Sequence, residues 1–156
     1  MECVFDATFS ITARCPTTGD LGVAISTAAP AVGQRCPHVR ASVGAIVTQS
    51  RTNITLGIKG LRLLELGLTP EHALGVLLDE DEGRDSRQVA AVDASGRCFG
   101  YTGSKCVGWA GHIVGEGFVA AGNMLVGPRT LESMVESFRR SEGELSGRLL
   151  TALEAG

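Results

Sequence analysis

The sequence predicts an α+β domain of two stacked, mainly antiparallel sheets flanked by helix layers. Three observations predict it. The apolar pattern switches between strand and helix periods in the order ββ, β, αα, ββ, β, αα, which suits two sheets better than a parallel βαβ sheet. Two blocks, TFSITARCPTTGDLGVAIS (Thr8–Ser26) and GYTGSKCVGWAGHIVGEGFVAAGNMLVG (Gly100–Gly127), combine strand patterning with many small residues. Glycine weakens a strand unless close backbone approach or a bulge needs it, so these blocks line a packed seam or a site. Finally, 156 residues and 16.2 kDa fit one domain, residues 1–156, able to bury about 68–70% of its unfolded surface.

Thr8–Cys15 alternates Phe9, Ile11 and Ala13 with Thr8, Ser10, Thr12 and Arg14, the period of a strand. Pro16–Asp20 has turn chemistry, and Leu21–Thr27 is a small apolar strand that pairs with the first as a hairpin. Ala41–Gln49 reads as a third buried strand. Leu61, Leu63 and Leu64 place a helix over Gly57–Leu66, stopped at Gly67. Thr69-Pro70-Glu71 starts the next helix with an N-cap hydroxyl, a proline at the first position and an acid in the first turn, and it runs to about Leu78. Asp79–Arg87 is a charged loop. Gln88–Asp93 and Arg97–Thr102 form a second hairpin across Ala94-Ser95-Gly96, and His112–Ala121 reads as a further strand. Leu131, Met134, Val135 and Phe138 follow i, i+3, i+4, i+7 after Gly127-Pro128. Ser141 and Glu144 have capping-box spacing before a last helix carrying Leu145, Leu149 and Leu153.

Composition removes several function classes. A net charge of −3 leaves no electrostatic footprint for nucleic acid, and the few aromatic residues offer no stacking platform. No stretch approaches the roughly 20 apolar residues of a membrane span, and no signal peptide is visible, so a cytoplasmic protein is expected. Five cysteines (Cys3, Cys15, Cys36, Cys98, Cys106) without CxxC spacing read as reduced thiols, not a zinc site. Asp79–Glu82 lacks the glycine-spaced pattern of a calcium loop and reads as a solvated turn. Neither a metal nor another cofactor is expected.

The amide and aromatic candidates follow from position. Gln49 and Asn53 flank the end of the third strand, where substrate-facing amides belong. Asn123 follows Gly122 at a strand end and reads either as an oxyanion donor or as a turn former. Trp109 and His112 in W-A-G-H are the single tryptophan and the most site-like histidine, although a lone histidine is also a common structural group. Ser26 ends the second strand beside the start of the first, where it either bonds to Thr8 or caps a turn. Cys106 is a further nucleophile candidate, but it has no positioned base.

Read together, TFSITARCPTTGDLGVAIS, AVGQRCPHVRASVGAIVTQS, LGIKGLRLLELGLTPEHAL, GRDSRQVAAVDASGRCFGYTGS and CVGWAGHIVGEGFVAAGNML resemble the family called domain of unknown function 1028. That family is assigned to the N-terminal-nucleophile (Ntn) hydrolase superfamily. The resemblance covers about Thr8 to Gly156. It implies a four-layer αββα sandwich, in agreement with the element order, and no established substrate. It also implies that Thr8 heads the first strand as a catalytic nucleophile whose own α-amine, with a pKa of about 8, serves as base. Arg40, leading into the third strand, matches the basic residue of threonine-type members and would act by charge alone. On residues alone, Thr8 is a β-branched strand opener and Arg40 a surface cation.

Many relatives begin with methionine directly before the Thr-Phe-Ser strand, whereas here MECVFDA precedes Thr8, so a free amine requires a further cleavage or a later start. Relatives also typically continue into a final strand, which predicts a sheet edge left open here. With the small-residue blocks, that edge predicts a homo-oligomer. The expected activity is hydrolysis of a small amide or cyclic imide through Thr8. The alternative is a non-catalytic Ntn-fold subunit or small-molecule-binding module.

Overall fold

The computed structural model describes residues 7–156; of the segment whose removal is expected, residues 1–6 lie outside the described residues. Among the described residues, eight strands form two four-stranded antiparallel sheets. One sheet has the order β2-β1-β8-β7, from Leu21–Thr27 (β2), Thr8–Arg14 (β1), Phe118–Leu125 (β8) and Trp109–Gly115 (β7). The other has the order β3-β4-β5-β6, from Pro37–Arg40, Gly44–Ser50, Arg87–Asp93 and Cys98–Thr102. Helices α2 (Ile54–Glu65) and α3 (Pro70–Asp79) cover the second sheet, and α4 (Arg129–Arg140) and α5 (Leu145–Glu154) cover the first. A four-residue α1 (Val32–Arg35) sits between β2 and β3. This is the αββα sandwich that the sequence predicts.

Three apolar layers hold it. Ile11, Phe118, Leu131, Met134 and Leu149 pack the first sheet on α4 and α5. Ile46, Leu56, Leu74 and Val89 do the same for the second sheet on α2 and α3. Between the sheets the side chains are smaller: Val47, Ala90, Val119 and Ala121, with Val23 and Ile25 beside them. The strands rich in alanine and glycine therefore mark the seam where the sheets meet. Two sheets packed on small side chains leave room for a row of buried polar groups at one end.

Several elements differ from the sequence reading. Pro37–Arg40 is a strand of its own, and β4 starts only at Gly44, because Ala41–Val43 turns back with Ser42 in the left-handed region. The single expected strand over His112–Ala121 is a hairpin: Gly115 pairs with Phe118, and Glu116–Gly117 is a two-residue turn with Gly117 at φ +73°. Helix α2 begins three residues before the expected start because Asn53 Oδ1 accepts from the Thr55 amide at 3.1 Å. The capping box does not form. Ser141 Oγ donates instead to the Phe138 carbonyl at 2.8 Å, closing α4, and Glu144 precedes α5 without a side-chain cap. The α3 start stands as expected, with Thr69 Oγ1 accepting from the His72 amide at 3.2 Å.

Backbone proximity makes two glycines opposite in kind. A Cβ on Gly103 would overlap the main-chain oxygen of Asp85, whereas one on Gly75, inside α3, would meet nothing within 4 Å. Gly103→Ala is expected to lower stability by about 2 kcal/mol, and Gly75→Ala to raise it by up to about 1 kcal/mol. Urea unfolding midpoints of the two variants check both signs.

Candidate functional site

Strand alternation points Thr8, Ser10 and Thr12 into the seam between the sheets, since Ser10 pairs with the seam residues Ile25 and Ala121. Thr8 stands opposite Thr27 on one side and Asn123 on the other. Its hydroxyl lies 2.8 Å from that of Thr27. A small cleft of about 110 Å³ opens there, lined among others by Thr8, Thr27, Arg35, Cys36 and Gln49.

Behind the cleft lies a polar network centred on Gln88, which is fully buried. Gln88 Nε2 donates to the main-chain oxygens of Gly111 (3.0 Å) and Gly122 (2.8 Å) and to Thr102 Oγ1 (3.0 Å). Main-chain carbonyls only accept, so they fix which end of the Gln88 amide is nitrogen. Gln88 Oε1 then accepts from Gln49 Nε2 at 2.8 Å and from Asn123 Nδ2 at 2.9 Å. The orientation of those two amides follows in turn. Their oxygens, Gln49 Oε1 and Asn123 Oδ1, are buried and have no partner. Two acceptors, one on Gln49 of the cleft lining and one on Asn123 paired with Thr8 across the strands, thus have nothing donating to them.

The backbone around the cleft is strained as well. Among the described residues four non-glycines have positive φ, and three of them adjoin this end: Ala31 at 58°, Ser50 at 65° and Met124 at 54°. Each such conformation costs about 1–3 kcal/mol, and such residues cluster where function demands a shape.

Of the expected site residues, the structure gathers Thr8, Gln49, Asn123 and, through Thr102 Oγ1 at 2.8 Å from His112 Nδ1, His112. Gly100 makes room for the imidazole, since a Cβ there would crowd the ring. The other four lie elsewhere. Arg40 pairs with Gly44 at the far end of β4, roughly 16 Å along the strand from Gln49, and forms an ion pair with Glu65 on α2. Arg35 is the cation that lines the cleft. Ser26 pairs with Phe9 and so faces the helix side of its sheet; the hairpin register puts Thr27, one residue on, against Thr8. Asn53 caps α2 with its oxygen and donates Nδ2 to Asp81 at 2.8 Å, so both ends of its amide are structural. Trp109 packs against the α4–α5 layer. Asn123 is oriented with its oxygen free, which suits accepting a hydrogen bond and not holding an oxyanion. Sequence reasoning missed Thr27 and Gln88. The signal for Gln88 was the one polar residue on the seam side of a Val-Ala strand.

The titrating groups mostly serve structure. The Arg87 guanidinium, bonded through two nitrogens to Asp81, holds that carboxyl down at about 2 and is itself pushed up by it. Burial pushes the Cys98 thiol up to about 11. Cys106 donates to the Arg87 carbonyl, away from the cleft. Burial also lowers the His112 pKa below its ordinary 6.5. No group of three or more metal-ligating side chains occurs among the described residues, and no helix among them is long and apolar enough to cross a membrane.

Fold and site together define a class: an αββα sandwich with a hydroxyl-headed strand opening into a polar cleft between its sheets. The chain belongs to DUF1028, a family of unknown function, whose model matches residues 8–156 and so starts at the cleft threonine. It is similar to protein SPO2555 from Silicibacter pomeroyi, a DUF1028 crystal structure, at 34% identity and a TM-score of 0.92, covering 96% of this chain and 69% of that one. No curated protein matches the chain.

Two outcomes follow from the network. Gln88→Leu keeps the volume but strands two main-chain carbonyls and two amide nitrogens in the seam. It is expected to cost about 3 kcal/mol or more, measured by denaturant unfolding. Because folding depresses the His112 pKa, the unfolded chain binds its proton more readily. The associated stability is full above about pH 6.5 and is lost as pH falls through the folded value. The unfolding free energy is therefore expected to drop less between pH 7 and 5.5 in His112→Gln than in the parent. His38, lowered in the same direction by burial, contributes equally to both proteins and cancels.

Proposed function

We propose that the protein is an N-terminal-nucleophile amidohydrolase acting on a small amide or cyclic imide, with Thr8 as nucleophile. The observation that carries this reading is the pair of oriented, unpartnered oxygens of Gln49 and Asn123 beside Thr8. Buried acceptors left bare cost about 1–3 kcal/mol each. An α-ammonium or α-amine on Thr8, released by hydrolysis of the Ala7–Thr8 bond, would supply new N–H donors at the head of β1, on the residue that pairs with Asn123. The polar side chains lining the cleft with Thr8 are otherwise hydroxyls, the Gln49 amide, the Cys36 thiol and the Arg35 guanidinium, and His112 lies behind them on Thr102, bonded away from the Thr8 hydroxyl. The α-amine is then the base available to the hydroxyl.

In the proposed reaction, Thr8 Oγ adds to the substrate carbonyl carbon while its proton passes to the Thr8 amine. The C–N bond breaks, the leaving nitrogen takes that proton, and an ester to Thr8 remains. Water then adds to the ester, giving its proton to the amine, and the carboxylic acid departs as Oγ is reprotonated. Thr27, at hydrogen-bond distance, steers the hydroxyl rotor. Arg35, which lines the same cleft, would supply positive charge to the developing oxyanion. The size of the cleft favours a small substrate.

A second reading, a binding module of the same fold, draws on Ala7, which is half-buried and packs against the core cluster shared by the first sheet and the α4–α5 layer. Labelling with a β-lactone separates the two. Under the hydrolase reading, intact mass shows a chain starting at Thr8 and a single adduct there, absent in Thr8→Ala, whose amide hydrolysis falls by about a thousandfold or more. Active protein that retains Ala7, or an adduct on Cys36 or Cys106, overturns it.

A further inference from the structure

The opposite end of β1, six residues beyond Thr8 and roughly 20 Å away along the strand, holds a second cavity of about 510 Å³. Arg14, from the end of β1, Arg139, from the last turn of α4, and Arg148, from α5, all line it. None of the three takes part in an ion pair among the described residues, although six such pairs occupy other cations, including neighbouring Arg97 on Asp93. Arg14 Nε and Arg148 Nε are buried donors without a partner. One carboxylate, the exposed Glu116 of the β7–β8 turn, lies on the rim.

The guanidiniums are held in place. Phe118 and Phe138 form a tilted ring pair 5.2 Å apart at the base of the cavity. Arg148 lies 4.4 Å above the Phe138 ring and Arg139 5.6 Å above that of Phe118. Arg148 also donates from Nη2 to the Phe138 carbonyl at 3.2 Å. Stacking of this kind restrains a planar cation and leaves its edge donors available. Three like charges lining one cavity, with a single exposed carboxylate at its rim and no ion pair to any of them, repel one another, so an anion in their midst is favoured by Coulomb attraction and by the unpaired N–H groups.

We propose that this cavity binds a phosphoryl-bearing small molecule, at a site separate from the Thr8 cleft. Three forks converging from three separate elements suit the several oxygens of a tetrahedral phosphoryl group. A single planar carboxylate engages one fork at a time. The volume falls in the usual range for small-ligand sites, about 300–1,000 Å³.

Isothermal titration of the full chain with sodium pyrophosphate, at low and at high sodium chloride, tests the proposal. Saturable binding is expected, weakening with salt and falling at least tenfold in Arg14→Gln/Arg139→Gln, with Thr8→Ala unchanged. Arg139→Gln alone, altering an exposed side chain, serves if the double variant melts early. No saturable binding by the parent overturns the proposal. So does equal affinity in the folded variants. Citrate binding as tightly as pyrophosphate would overturn the phosphoryl assignment in favour of a general polyanion site. None of these outcomes depends on whether Thr8 is a nucleophile.

Discussion

The direction of one buried amide sets the chemistry of the inter-sheet end. Gln88 has no exposure, and its nitrogen is committed to two main-chain carbonyls that cannot act as donors. Everything downstream inherits that polarity. Its oxygen accepts from Gln49 and Asn123, and their oxygens in turn are left unpartnered on residues that neighbour Thr8. Low dielectric makes such a chain strong when satisfied and expensive where it ends. It ends beside the hydroxyl that heads β1.

The fold was largely legible because its determinants are local. Period-two runs, the Thr69-Pro70-Glu71 start and the Leu131–Phe138 spacing each carry their own element. Where the reading slipped, a residue had two possible uses. Ser141 fits a capping box by spacing, yet the carbonyl of Phe138 is nearer to hand, and the helix being closed claimed it. Gly115-Glu116-Gly117 reads as the middle of a small-residue strand until Gly117 takes a positive φ, and one strand becomes a hairpin.

The site was legible only in part, for a reason rooted in register. Thr8, Gln49, Asn123 and His112 lie on strands whose inward faces were predictable, and they converge. Ser26 and Thr27 differ by one residue, and in a strand one residue changes the face. Which of them meets Thr8 depends on the loop from Cys15 to Asp20, closed by the Cys15 amide on the Asp20 carbonyl at 2.8 Å, a detail that composition does not determine. Arg40 lies away from Thr8 for a longer-range reason. It is the exit of β4, at Gln49, that lies by the head of β1, so its entrance and Arg40 lie at the opposite end, while the antiparallel β3 brings Arg35 and Cys36 back to the Thr8 end. Asn53 is a residue whose two amide ends both found structural partners.

The buried groups left without partners fall into a pattern that neither end shows alone. Among the described residues they are Thr12 Oγ1, Arg14 Nε, Gln49 Oε1, Asn123 Oδ1 and Arg148 Nε. At the Thr8 end the bare atoms are acceptors, which call for N–H donors. At the Arg14 end they are donors, which call for an anion. Thr12, midway along β1, belongs to neither end, and nothing in the structure explains it. A folded chain retains such unmet groups against a cost of about 1–3 kcal/mol each, and random packing defects would mix the two kinds. The acceptors belong to β4 and β8 near the start of β1, and the donors to the end of β1 and to α5, so the two proposed sites ask for opposite chemistry at opposite ends of that strand.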